Sequence, residues 1–134
     1  MKSLPPWRRR YMSSCEGLLF PKIQTKKKRI RHPKSILHNK ESRTCFICMK
    51  LHDDYSIYPI LHEHHIFEGT GNRKKSEEYG LKVYLCPRHH MYSEEAVHGN
   101  SDITEYLHRI GQQAFEDRCG SRETFRKVFG KSYL

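Results

Sequence analysis

Long apolar runs are missing from this 134-residue chain. No stretch approaches the roughly 18 consecutive apolar residues of a membrane-spanning helix. "GLLF" at 17–20 is too short for the apolar region of a secretory signal. Both absences point to an intracellular, cytoplasmic protein. Hydrophobic residues are also scarce, at 36%, against about 45–50% in an ordinary globular chain. So small a core calls for a staple, and a structural metal is a common one. Acidic residues are nearly absent from the first 44 positions, which hold 13 Lys/Arg and 2 acids, a net of +11. The rest holds 12 Lys/Arg and 13 acids, a net of −1, so the whole charge of +10 belongs to a basic arm. The arm lacks the periodic apolar face of a membrane-surface helix, so it reads as a contact for an anionic polymer, most commonly nucleic acid, with a solvated tail as the alternative. Cysteines are few and odd in number: Cys15, Cys45, Cys48, Cys86 and Cys119. With a Cys-x-x-Cys pair among them, that count argues for metal rather than for a disulfide framework.

The chain divides into a basic N-terminal extension, residues 1–44, and a body, residues 45–134. The extension carries "PPWRRRY" and "KKKRIRHPK", dense like charge broken by proline, and is expected to be irregular until bound. Lys26, Lys27, Lys28, Arg29 and Arg31 are its candidate phosphate contacts. In the body, "SIYPILHEHHIF", 56–67, reads as a strand. "EGTGNRKKSEEYG", 68–80, reads as a polar loop in which Ser76 caps a short turn and Gly80 ends it. "LKVYLC", 81–86, alternates and reads as a second strand, with a helix following near His90. Two C-terminal helices complete the body. The first runs from an N-cap at Ser101 to a stop at Gly120, with Ile103, Tyr106, Leu107, Ile110, Ala114 and Phe115 on one face. The second is capped by Ser121, packs Phe125, Val128 and Phe129, and stops at Gly130. Cys119 reads as a packing residue.

Two sets of residues carry chemistry. Cys45-x-x-Cys48 and Cys86-x-x-His89 are paired half-sites of the spacing that tetrahedral zinc favours, and they would pin both ends of a hairpin. The second set is His64, His65, His90 and His98. Adjacent residues of an extended chain point to opposite sides, so one of His64 and His65 can bind a metal while the other faces a substrate water. His32, His38, His52 and His108 read as surface or core histidines, and His62 is read with them.

At "CFIC", "EHHIF" and "LCPRHH" the chain resembles the HNH, or His-Me finger, nuclease superfamily, over about residues 45–100. The fuller string, with "GNRKKSEEYGLKV" and "FRKVFGKSYL", is similar to small phage and prophage members, including relatives of the phage recombination-enhancement nucleases that depend on a recombinase filament. The resemblance implies an α+β fold: a small zinc-stapled ββα-metal core, two C-terminal helices and the basic extension. It implies His65 as the catalytic base and His64, His90 and His98 as ligands of a catalytic Mg²⁺ or Mn²⁺. It leaves Cys45, Cys48, Cys86 and His89 for a structural Zn²⁺. It also implies a bacterial host cell, with a recombinase filament or other host protein as a further partner beside DNA. Leu81 stands where the family's middle Asn begins the second strand, with Asn72 as a substitute from the loop, and the eight residues between His90 and His98 require a bend.

The expected reaction is hydrolysis of a DNA phosphodiester, by nicking or weakly specific cutting. Arg73, Lys74 and Lys75 would hold backbone phosphates beside the site, contacts that position a duplex without reading its sequence. Two other readings compete: a non-catalytic zinc-containing DNA-binding or recombination accessory protein, and a phage-encoded inhibitor or adaptor of a host protein.

Overall fold

A computed structural model describes residues 26–134. Cys15 and most of the basic extension lie outside them. One compact unit spans Arg31–Leu134. Lys26, Lys27, Lys28, Arg29 and Arg31 are exposed in irregular chain. Among the described residues, no helix is long and apolar enough to cross a membrane.

The unit takes in more than the expected body. Ile36 N–H donates to the Gly80 carbonyl at 3.0 Å, and the Ser35 hydroxyl donates to the Lys82 carbonyl. The buried His38 ring accepts from Tyr84 N–H at 3.1 Å through Nδ1 and meets the Thr44 hydroxyl at 3.3 Å through Nε2. The part of the extension from Ser35 onward therefore packs along the body. Like charge dominates the composition upstream of residue 35 but not the apolar pair Ile36–Leu37, and the sequence alone gave no sign of where the change falls.

Helix α1, Phe46–His52, starts immediately after Cys45 and buries Phe46, Ile47 and Cys48. Strand β1 is only His62–His65, shorter than the strand expected over 56–67. Ile57 makes a single bridge to Thr44, and Ile57 and Ile60 are exposed. Helix α2, Thr70–Tyr79, replaces the expected polar loop. Its mean character is too polar to show a buried stripe, yet Arg73, Lys74, Lys75, Glu77 and Glu78 are all good helix formers. Ser76 does not cap a turn. It lies fully buried within α2, where its hydroxyl takes the Phe67 N–H at 3.2 Å. Gly80 does end the helix, at φ 68°. A Cβ there would lie 2.5 Å from the Lys34 carbonyl oxygen, so glycine is required twice over.

Strand β2, Lys82–Leu85, pairs antiparallel with β1, with His64 opposite Val83 and His65 opposite Lys82. The helix expected near His90 is a single π-helical turn, Arg88–Tyr92. Helix α3, Ser101–Arg118, is capped by Asn100, one residue before the expected Ser101; the Asn100 side chain accepts from the Asp102 and Ile103 N–H groups. Cys119, not Gly120, is its C-cap, and Cys119 is exposed rather than packed. Helix α4, Arg122–Phe129, is capped by Ser121 and stopped by Gly130 as expected.

The fold is thus mixed α and β, with a two-stranded sheet and four α-helices among the described residues. One core unites Phe46, Ile66, Phe67, Leu81, Val83, Leu85, Leu107, Phe115, Phe125 and Phe129. Tyr106 and Ala114 are only half-buried, while Gly111 and Gln112 are buried on α3. Gly111 lets Ile66 approach: a Cβ there would meet Ile66 Cγ2 at 2.8 Å. Gln112 pins the chain end by accepting from Tyr133 N–H at 2.6 Å and donating to Ser132 at 2.9 Å. The Gly111 contact seats Ile66, the residue after β1, against α3.

Candidate metal centres

The first centre gathers the two half-sites. Cys45 is extended at the start of α1 and Cys48 lies in its first turn, which turns both thiols the same way. Cys86 follows β2, and His89 lies in the π-turn. All four are buried and offer ligand atoms within 4.8 Å of one another. His89 Nδ1 is 3.6, 3.2 and 3.3 Å from the sulfurs of Cys45, Cys48 and Cys86. A tetrahedral zinc, with Zn–S about 2.3 Å and Zn–N about 2.0 Å, sets such S···N edges at about 3.5 Å. The donors therefore fit a metal such as zinc without rearrangement. Burial pushes the Cys45 thiol up to about 12 and raises Cys48 as well. Without a cation these thiols stay protonated, and a bound metal ion is what would make them thiolates.

Outer contacts fix the ligands. The Glu95 carboxylate lies 3.2 Å from His89 Nε2 and 2.7 Å from His52 Nε2. A carboxylate on Nε2 leaves Nδ1 as the ligating nitrogen, the usual outer support of a metal-bound imidazole. His52 stacks on His89 with ring centroids 5.7 Å apart. Tyr58 places its hydroxyl 3.2 Å from Cys48 sulfur.

The second centre lies on the other side of the π-turn. His64, His90 and His98 also bring one nitrogen each within 4.8 Å of the others. The bend required between His90 and His98 is present: Val97 N–H returns to the His89 carbonyl at 2.8 Å, and Asn100 N–H to Ala96 at 2.9 Å. His98 Nε2 then lies 3.1 Å from His90 Nε2. His62, read from sequence as an ordinary histidine, touches this group without being one of its three ligands: its Nδ1 is 2.9 Å from His90 Nδ1, while His98 faces the other nitrogen of that ring. Strand alternation puts it on the face of His64, and the π-turn brings His90 under both. Burial, then the imidazoles of His98 and His90, hold His64 down to about 3. Burial, then His98 and His62, lower His90. His64 and His90 are thus both held toward the neutral ring, the state in which imidazole binds metals. Three nitrogens and no carboxylate form a donor set that suits transition ions better than Mg²⁺, which prefers oxygen ligands.

His65 faces away from these rings, as its adjacency to His64 requires. Its Nε2 lies 2.5 Å from Glu77 Oε2 and 3.6 Å from Glu63 Oε1. Glu77 also takes Lys82 Nζ at 2.8 Å and His32 Nδ1 at 3.2 Å. Glu63, His65 and Glu77 are close enough to hold a metal among themselves, but the nearly buried Lys82 ammonium already supplies their cation. His64, His65, His90, His98 and Arg73 nevertheless line one cavity of about 580 Å³, with the start of α2 at its rim.

Other expected contributors divide. Lys74 is exposed on α2 and does not line the cavity. Lys75 does not reach out to phosphates, because its ammonium donates to the Val128 carbonyl and ties α2 to α4. Asn72 is half-buried in the first turn of α2, and Leu81 is fully buried in the core. Glu77 and Glu95 had no sequence signal, since each acts on a residue far along the chain or across a turn. No protein-family model, curated protein or solved structure matches the chain.

Proposed function

We propose that this protein is an HNH-type, metal-dependent endonuclease that hydrolyses DNA phosphodiesters. The observation that carries the reading is the cavity shared by His64, His90 and His98 on one strand face and His65 on the other. A pure zinc module has no use for a second, all-imidazole group beside a histidine held by a carboxylate. Cys45, Cys48, Cys86 and His89 hold a structural Zn²⁺ that fixes the hairpin and the π-turn. His64, His90 and His98 hold the catalytic ion, with Mn²⁺ or another transition ion preferred over Mg²⁺. Bound there, a divalent ion stabilises charge on the phosphorus-bound oxygens and the leaving oxygen. His65 accepts a proton from the water that attacks phosphorus, a contribution of roughly 10²–10⁴-fold. Arg73 and Lys74, with Lys26, Lys27, Lys28, Arg29 and Arg31, hold backbone phosphates. Phosphate contacts carry no sequence information, so nicking or weakly specific cutting is the mode that goes with this reading. A recombinase filament is the partner that the family resemblance adds, in a bacterial cytoplasm.

The test is nicking of supercoiled plasmid by the full chain with Mg²⁺, Mn²⁺, Ni²⁺ or Zn²⁺, with and without a recombinase filament. His65→Ala is expected to cut at least about 10²-fold more slowly while keeping zinc content and fold. His64→Ala is expected to need more metal. Equal nicking by the wild type and His65→Ala, or none by either under every condition, would overturn the nuclease reading in favour of the accessory protein.

A further inference from the structure

The nuclease reading assigns His65 a proton to accept but does not say which ring nitrogen accepts it or what holds the ring. We infer that Glu77 is a positioning residue that fixes His65 as its Nε2–H tautomer, so that Nδ1 is the nitrogen left to take a proton in the shared cavity. The inference rests on the nuclease reading for its purpose, but not for its geometry.

The geometry comes from three elements. Alternation along β1 puts Glu63 and His65 on the face opposite His64, and register places His65 directly across from Lys82 on β2. Helix α2, which crosses between the two strands, lowers Glu77 onto that pair. The carboxylate then receives Lys82 Nζ on Oε1 at 2.8 Å and faces His65 Nε2 through Oε2 at 2.5 Å. Burial acts to raise the Glu77 pKa, but the bonds from Lys82 and His65 outweigh it and hold the carboxyl below its usual range. An ionised carboxylate has no proton to give and can only accept. The hydrogen between Oε2 and Nε2 must therefore belong to the histidine. In the neutral ring the lone pair then sits on Nδ1, which makes no hydrogen bond among the described residues. His65 side-chain exposure is only 14%, and loss of Glu77 would remove the acceptor on Nε2 and free the ring to exchange tautomers.

The carboxylate that holds His65 comes from α2, an element the sequence presented as a loop.

The experiment uses the zinc-loaded full chain, ¹⁵N-labelled at histidine, with the His65 signals identified by their loss in His65→Gln. Above pH 8 the wild type is expected to show a pyrrole-like Nε2 and a pyridine-like Nδ1. Glu77→Gln, whose amide can turn either its oxygen or its nitrogen to the ring, is expected to give a mixture of tautomers. In the plasmid assay Glu77→Gln is expected to lower kcat about 10-fold or more with KM for DNA unchanged, and Glu77→Asp, which keeps the charge, to recover part of it. A wild type with the proton on Nδ1, a Glu77→Gln spectrum identical to wild type, or an unchanged kcat would each overturn the inference. Because Lys82 loses a partner in these variants, circular dichroism of Glu77→Gln is read first. If it is unfolded, the wild-type tautomer decides alone. A correct tautomer in a protein that cuts no DNA under any condition would leave the Glu77–His65 assignment standing and remove the nuclease reading.

Discussion

Changing Cys48 to Ala removes one of four donors that join three distant pieces of chain: residues 45–48, the end of β2 and the π-turn. With no metal bound, the remaining thiols and His89 would stay buried with nothing to join the three segments. The size of the effect follows from linkage. A ligand that binds only the folded state at about 1,000 times its dissociation constant stabilises by about 4 kcal/mol. The compact unit, Arg31–Leu134, is about a hundred residues, for which 1 kcal/mol moves the midpoint by roughly 4–8 °C. Cys48→Ala, or chelation of the wild type, is thus expected to lower Tm by about 15–30 °C, or to unfold the chain outright if its metal-free stability is small. The assay is calorimetry with metal content measured on the same samples by mass spectrometry. Cys119→Ala is the control: this thiol is exposed and outside the cluster, and its Tm should not move. A Cys48→Ala protein that is metal-free at this centre yet melts with the wild type would refute the reasoning.

Two further outcomes are expected. Deleting residues 1–30 removes nine Lys/Arg and one Glu while sparing Ser35–Thr44, which pack on the body. The protein should stay folded, bind DNA more weakly and show a shallower dependence of affinity on salt, since fewer counterions are released; filter binding across a salt series measures this. The pH response of stability follows from His38, whose pKa burial lowers below the ordinary 6.5. The unfolded chain then takes up protons more readily than the folded one. The His38 contribution is complete above pH 6.5 and is lost as pH falls below it, by up to about 1.4 kcal/mol per pH unit. Urea midpoints at pH 7.5 and 5.5 should therefore differ less for His38→Asn than for the wild type, and an equal difference would count against a neutral His38.

The legible part of the fold was local. Ser121 and Gly130 bound α4 because capping is a matter of a few adjacent backbone groups, and the same locality made Gly80 a stop even though the helix it ends was not expected. Cys45, Cys48, Cys86 and His89 were legible because metal geometry fixes spacing within each half-site. Alternation along β1 separated His64 from His65 by the same kind of short-range rule.

What only the tertiary structure decided was everything joined at long range. Helix α2 carries almost no apolar stripe, so its place depends on Ser76 meeting Phe67 and on Lys75 reaching Val128. That placement brings Glu77 to His65. His62 touches the imidazole cluster only because the π-turn sets His90 beneath it, and Ser35–His38 joined the body only because the backbone of Gly80 to Tyr84 offered partners. Sequence determined which residues could bind a metal or hold a proton, since those are properties of side chains. The packing of α2 and the π-turn against the hairpin determined which of them met, because contacts between residues far apart in the chain exist only once its core has closed.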